Sequence, residues 1–281
     1  MSGSGRWLRV VVEVGAEDVE LAADRLWALG PAAVEERPAP SGTVLLAGFD
    51  DAARAEAAAV AVAPWAVREP EVVPVVDDGL DGWRAHAGVL DAPPFVVVPA
   101  WLDPPADLPA DRHVLRIDPG RTFGSGSHPT TRLVLGRLAG LVRPGHAVLD
   151  VGTGSGVLAV AAALVGAGTV LGVDVDDAAP AATAANAQLN GVADRVGVTT
   201  SPLATATSGR TFDVVLANLL APVIVELAEP LVAAVADDGV LIASGLLADR
   251  WAEATDRLAG LEVVDVAVDD GWAAVSLRRS P

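Results

Sequence analysis

Residues 150–156 read DVGTGSG and residues 118–131 read DPGRTFGSGSHPTT, two glycine-studded stretches about twenty residues apart. Glycine in such numbers suits a ligand that the backbone must approach closely. Gly152, Gly154 and Gly156 fall at every second position between an apolar run and a helical run. That is the context in which a glycine loop meets a phosphate or a sugar. A dinucleotide fingerprint needs G-x-G-x-x-G, and Val157 stands where its third glycine belongs. The chain has no lysine, so a P-loop is excluded. Asp150, directly before the loop, would repel a pyrophosphate and could accept a hydrogen bond from a cationic amino-acid headgroup.

A second carboxylate completes the pattern. Asp174 closes the next apolar run, VLGVD, some twenty residues past the loop, where it can accept both ribose hydroxyls of a nucleoside. Asp176 and Asp177 read instead as the cap of the helix that follows. Loop and carboxylate together describe a site for an adenosine-type nucleoside without phosphates, and S-adenosylmethionine fits. Asn218 ends the run FDVVLA, where an acceptor must approach. Its amide could orient the lone pair of an amine, or the residue could merely turn the end of a strand. His128, between Ser127 and Pro129, reads as a residue that shapes its loop rather than as a base. The four histidines are scattered and there is no cysteine, so no metal site is expected.

These residues need a scaffold, and strand–helix alternation supplies it. From 146 onward, strands are expected at 146–151, 169–173, 196–199, 212–217, 240–244, 262–268 and 272–277. Helices are expected at 155–165, 178–189, 222–235 and near 249–258. Such alternation makes a doubly wound parallel α/β sheet, with ligands at the carboxyl ends of its strands. Only DDG separates the last two strands, so they form an antiparallel hairpin. The first 76 residues read strand, helix, strand, strand, helix, strand, a small ferredoxin-like α+β domain. A linker is expected over 77–110, rich in proline, alanine and aspartate, with one strand-like piece at 95–101. The second domain is then 111–281.

Composition narrows the function. The chain has 281 residues, 52% of them hydrophobic, enough to bury a core, and a formal net charge of −18. Every basic side chain other than histidine is arginine, and no basic cluster is visible, so direct nucleic-acid binding is not expected. An acidic surface suits a basic partner. Residues 156–173, GVLAVAAALVGAGTVLGV, are uncharged, but the interior GAG would end a helix, so a membrane span is not expected. Without a signal peptide, the expected location is the cytoplasm.

The stretches DPGRTFGSGSHPTT, LDVGTGSGVLAVAA, GVDVD, AANAQLNGV and VLANLLAPVIVELA resemble the PrmA family. Its members are class I S-adenosylmethionine-dependent methyltransferases that modify the large-subunit stalk-base ribosomal protein, the eleventh L protein. The resemblance runs from about residue 83 to the end, GWRAHAG and VVVPAW included. Before that, only the order of elements and GPAAVEE are similar. The resemblance implies that Thr130 and Thr131 in the upstream loop, Gly152, Asp174 and Asn218 contact S-adenosylmethionine, with Asp150, Gly154 and Gly156 around them. It implies that Phe123 belongs to a flap over the cofactor and that Asn218 also serves the reaction. It further implies methylation of lysine ε-amines and the N-terminal α-amine of a basic ribosomal protein, by a monomer whose first domain recognises the substrate. Two alternatives stand beside it. One is a methyltransferase of the same fold acting on another protein or a small molecule. The other is a non-catalytic nucleoside-binding factor in ribosome assembly. A nicotinamide oxidoreductase is disfavoured by the glycine spacing.

Overall fold

Strict alternation in Leu8–Val14 puts Val10, Val12 and Val14 on one face, and that face is buried. The computed structural model describes residues 7–15, 17–31, 33–39, 42–74, 87–120, 122 and 124–279. It divides into two units, Met1–Gly82 and Trp83–Pro281. The first holds β1 (Leu8–Val14), α1 (Val19–Trp27), β2 (Ala33–Ala39), β3 (Gly42–Phe49), α2 (Ala52–Val62) and β4 (Glu71–Pro74). Its sheet has the order β2-β3-β1-β4, with every neighbouring pair antiparallel. Each βαβ is therefore split by a strand from the other, the ferredoxin-like arrangement. Leu45, Ala47 and Phe49 join the β1 valines against Ala22, Leu26, Ala55, Ala58 and Val62 of the two helices.

The second unit starts earlier than the sequence suggests. The linker expected over 77–110 contains β5 (Leu90–Ala92) and β6 (Phe95–Pro99), which pair with each other and with β7 (His113–Ile117) in a small sheet. All five β6 residues are buried, and Phe95 and Val97 pack into the same core as Val157–Ala163. This is the strand-like piece expected at 95–101; flanking proline and aspartate disguised only its place in the second unit, where its apolar run is buried. A helix that the pattern reading did not identify follows: α3 (Pro129–Leu141), with His128 as N-cap and Pro129 in its first turn.

The main sheet comprises β8 (Ala147–Val151), β9 (Thr169–Val173), β10 (Val196–Thr199), β11 (Phe212–Asn218), β12 (Val235–Leu247), β13 (Leu261–Asp269) and β14 (Trp272–Arg279). Its order is β10-β9-β8-β11-β12-β14-β13. Pairs from β10 to β12 are parallel, and β14 lies antiparallel between β12 and β13. This is the expected doubly wound α/β sheet with its terminal hairpin. Val148, Val214, Leu216 and Ile242 point into one core; Leu149, Val215, Ala217 and Leu241 point into the other. A sheet covered on both faces needs such uninterrupted apolar strands.

The helices are α4 (Val157–Leu164), α5 (Ala179–Leu189), α6 (Leu203–Thr207), α7 (Ala221–Glu226), α8 (Ala228–Ala234) and α9 (Trp251–Thr255). The single helix expected over 222–235 is two. Pro230 has no N–H for the Glu226 carbonyl and its ring clashes there, so the helix breaks at Leu227. Pro180 falls in the first turn of α5, where it is tolerated. The uncharged run 156–173 resolves into α4, a turn and β9, and among the described residues no helix is long and apolar enough to cross a membrane. Strand order reverses between β8 and β11, so a ligand crevice is expected at their carboxyl ends. Asp150 and Gly152 lie at one of those ends and Asn218 at the other.

Candidate functional site

The chain leaves β8 through Gly152, Gly154 and Gly156, all in the left-handed region, with φ of 75°, 52° and 80°. At Gly152 an added Cβ would collide with the Leu219 side chain, and at Gly156 it would lie 2.5 Å from Thr183 Cγ2. The loop is thus shaped for glycine by backbone and by neighbours. Asp174 stands at the end of β9 and holds the loop: its Oδ2 accepts from the Gly154 N–H at 2.7 Å and its Oδ1 from Asp176 N–H at 2.9 Å. Each carboxylate oxygen keeps acceptor capacity beyond those bonds.

A cavity of about 770 Å³ opens over this loop, lined among others by Gly152, Asp174, Leu203, Asn218, Leu220 and Trp272. That size suits a nucleoside with an amino-acid tail. Asp174 offers acceptors for ribose hydroxyls, Leu203 and Pro202 an apolar wall for a base, and Gly152 and Gly154 close backbone approach. These residues fit S-adenosylmethionine. A larger groove of about 1010 Å³ lies along α7 and α9 and carries none of the loop residues.

Asp150 does not line this cavity, which corrects its expected contact with a cationic headgroup. It is buried beneath the loop, where Oδ2 accepts from Thr153 Oγ1 at 2.8 Å and from Ala159 N–H at 3.1 Å. The second bond takes up one of the first free amides of α4, so Asp150 acts as the cap that Gly156 cannot supply. Burial pushes its pKa up to about 6, opposed by its two hydrogen bonds and helped slightly by the charge of Asp174. The helix cap read for Asp176 and Asp177 is also different. The N-cap position of α5 is Ala178, and only Asp176 contributes, accepting from Ala178 N–H at 2.9 Å.

The upstream loop reaches the same cavity. His128 Nδ1 lies 2.8 Å from Thr130 Oγ1, and its ring meets Trp272 edge-on at 5.1 Å. Thr130 and Thr131 are buried. Thr130 borders the cavity, whereas Thr131 touches it through Asn218, whose Nδ2 donates to Thr131 Oγ1 at 3.3 Å. With its nitrogen so engaged, Asn218 keeps Oδ1 as an acceptor at the cavity wall. Ser244 Oγ donates to the Thr130 carbonyl at 3.1 Å, and Ser155 Oγ to the Gly124 carbonyl at 2.6 Å. Phe123, expected in a flap, lies outside the described residues. Among the described residues no cluster of side chains could hold a metal ion.

Residue-by-residue reading missed Trp272, Pro202 and Leu203 as cavity walls. Topology held the signal for Trp272. A strand running antiparallel to β12 begins at the edge where the parallel strands end, so the first residue of β14 belongs beside the ligand crevice.

Comparison with known proteins gives a consistent set of relatives. Residues 92–280 match the family model for ribosomal protein L11 methyltransferase (PrmA). A ribosomal protein L11 methyltransferase of Syntrophotalea carbinolica is 46% identical over 213 residues, covering 73% of this chain and 68% of that protein. The one from Chloroflexus aurantiacus is 33% identical over an alignment of 326 residues, covering 97% and 98%. Among solved structures, a ribosomal protein L11 methylase from Lactobacillus delbrueckii subsp. bulgaricus superposes with a TM-score of 0.64 at 30% identity, over 69% of this chain and all of that one.

Proposed function

This chain belongs to the ribosomal protein L11 methyltransferase family, and we propose that it methylates amines of the large-subunit ribosomal protein for which its relatives are named. It is an S-adenosylmethionine-dependent methyltransferase. The observation that carries the reading is the convergence, in one cavity, of a carboxylate, Asp174, and an amide, Asn218, from opposite sides of the point where strand order reverses, which suits the first to a nucleoside and the second to an amine.

S-adenosylmethionine supplies a methyl group on a sulfonium, open to in-line attack by a neutral amine. The chain's own residues do the positioning, which can account for roughly 7–11 kcal/mol of such a barrier. Asp174 and the glycine loop hold the nucleoside end. Asn218 Oδ1 accepts from the acceptor N–H and aims its lone pair. The acceptor must arrive unprotonated, which for a lysine ε-amine costs about 4–5 kcal/mol at pH 7 and for an α-amine far less. Leu219, Leu220, Val223 and Trp272 line the cavity, and such apolar neighbours disfavour the ammonium form by keeping water away.

The acceptors in this reading are lysine ε-amines and the N-terminal α-amine. The ferredoxin-like domain, residues 1–76, recognises the substrate. A net charge of −18 suits a basic ribosomal protein and not nucleic acid. The enzyme acts as a monomer in the cytoplasm. The family match begins at residue 92, leaving the whole of that first domain outside it, so another protein acceptor is the reading to test against.

The test incubates labelled S-adenosylmethionine and the purified protein with ribosomal proteins from cells lacking this gene. Label in one large-subunit band, absent with Asp174→Ala, supports the reading, and mass spectrometry then identifies the amines. Label in a different protein, or none at all, overturns the assigned acceptor.

A further inference from the structure

The AANAQLNGV stretch puts two asparagines four residues apart on α5, and both face backbone rather than ligand. β7 pairs with β6 along one edge; along the other, Arg116 and Asp118 present their N–H and C=O groups to α5. Asn190 Oδ1 accepts from Arg116 N–H at 2.9 Å while its Nδ2 donates to Arg116 C=O at 2.7 Å. Asn186 repeats the exchange with Asp118, both bonds at 2.9 Å. The match is geometric: residues i and i+2 of a strand are about 6.6 Å apart, and residues i and i+4 of a helix rise about 6 Å. Two carboxamides thus imitate a neighbouring strand.

The two are not equivalent. The second Nδ2 proton of Asn190 stays within the helix, on the Asn186 carbonyl at 2.7 Å. That of Asn186 goes to the carbonyl of Ser155, inside the glycine loop, at 2.8 Å. Ser155 Oγ in turn holds Gly124 of the upstream loop, and Thr183, one turn earlier on α5, donates to Gly154 C=O at 3.1 Å. Asn186 is fully buried and joins the strand end at Asp118 to the loop beneath the nucleoside.

We propose that Asn186 is a positioning residue for the S-adenosylmethionine site, fixing the glycine loop against the upstream segment, whereas Asn190 only docks the helix on the strand edge. The inference rests on the assignment of that cofactor to the cavity.

Calorimetric titration with S-adenosylhomocysteine, well below each protein's melting temperature, separates the two asparagines. Asn190→Ala should melt earlier yet bind within about twofold of the parent, while Asn186→Ala should bind about tenfold more weakly, the worth of one buried hydrogen bond. Equal affinity in both variants, or equal weakening, overturns the proposal. Failure of the unsubstituted protein to bind overturns the cofactor assignment itself. Hydrogen exchange in the unsubstituted chain gives a readout that needs no variant to fold. S-adenosylhomocysteine should slow exchange at the Asp118 amide together with the amides of 154–157; slowing at the loop alone overturns the coupling.

Discussion

Asp174 Oδ2 and the Gly154 amide nitrogen are 2.7 Å apart, so the residue proposed to hold a ribose also fixes the glycine loop. In that reading, binding and loop geometry share one side chain. With Oδ1 on the Asp176 amide, the carboxylate is oriented before any ligand arrives. Preorganisation of this kind lowers the ordering cost of binding.

Replacing Asp174 by alanine should consequently lose more than the ribose bonds. Hydrogen bonds to a charged acceptor are worth roughly 1.5–3 kcal/mol each, and the Gly154 amide would lose its partner as well. S-adenosylhomocysteine affinity should fall by ~100-fold or more in a calorimetric titration. A fall of less than about fivefold would show that the carboxylate braces the loop without holding the nucleoside.

Asn218→Ala should behave differently, because in the proposed reading its amide orients the acceptor rather than holding the nucleoside. Turnover at saturating cofactor should drop about 10²-fold, as expected when an orienting contact is lost. S-adenosylhomocysteine affinity should stay within about threefold. Steady-state rates on the acceptor protein and a parallel titration give the comparison. Equal losses in both would remove Asn218 from the reaction and leave it as a prop for Thr131.

Some of this site was legible in the residues and some was not, for physical reasons. Gly152, Gly154 and Gly156 announce a left-handed loop wherever they fall, and Asp174 ends a run too apolar to be anything but a buried strand. The DDG before Trp272 likewise gave the closing hairpin. Asp150 misled because a carboxylate beside a glycine loop reads as exposed, and only the third dimension shows it turned under the loop toward Ala159. β6 was legible as a strand-like piece, but Pro93 and Pro94 before it and Pro99 at its end made its surroundings read as linker, since turn residues dominate a short window. Asn186 and Asn190 could be noticed but not interpreted, because their partners lie 68 and 74 residues away in sequence.

Gly152→Ala tests how tightly the loop and the acceptor wall are coupled. The new methyl would meet Leu219, which follows Asn218, in a backbone conformation that costs an L-residue roughly 1–2 kcal/mol. Both cofactor affinity and turnover should fall. Adding Leu219→Ala should return part of the loss, leaving the strain term alone, so the double variant should be less impaired than the sum of the singles predicts. Strict additivity in a double-mutant cycle would mean that the two side chains do not meet.

Asp150 makes stability depend on pH in a direction opposite to that of an ordinary paired carboxylate. Its pKa rises from 3.8 in the unfolded chain to about 6 in the folded one, through burial above all. Between those values the native state holds the extra proton, so stability falls as pH rises. The contribution is fully present below pH 3.8 and is lost as pH climbs through about 6. A shift of about two units corresponds to ~3 kcal/mol, a large part of a typical folding free energy. Asn at this position is neutral throughout, and its carbonyl oxygen can still accept from Thr153 and Ala159. Urea unfolding of the parent and Asp150→Asn at intervals from pH 4 to pH 8 should therefore give curves that differ in slope. The variant gains on the parent by up to ~3 kcal/mol between pH 4 and about 6.5, and the gap then stays constant. Curves that run parallel across that window would mean that Asp150 ionises in the fold as freely as in the unfolded chain. A cap that stays charged below the loop would then have to be stabilised by more than its two hydrogen bonds.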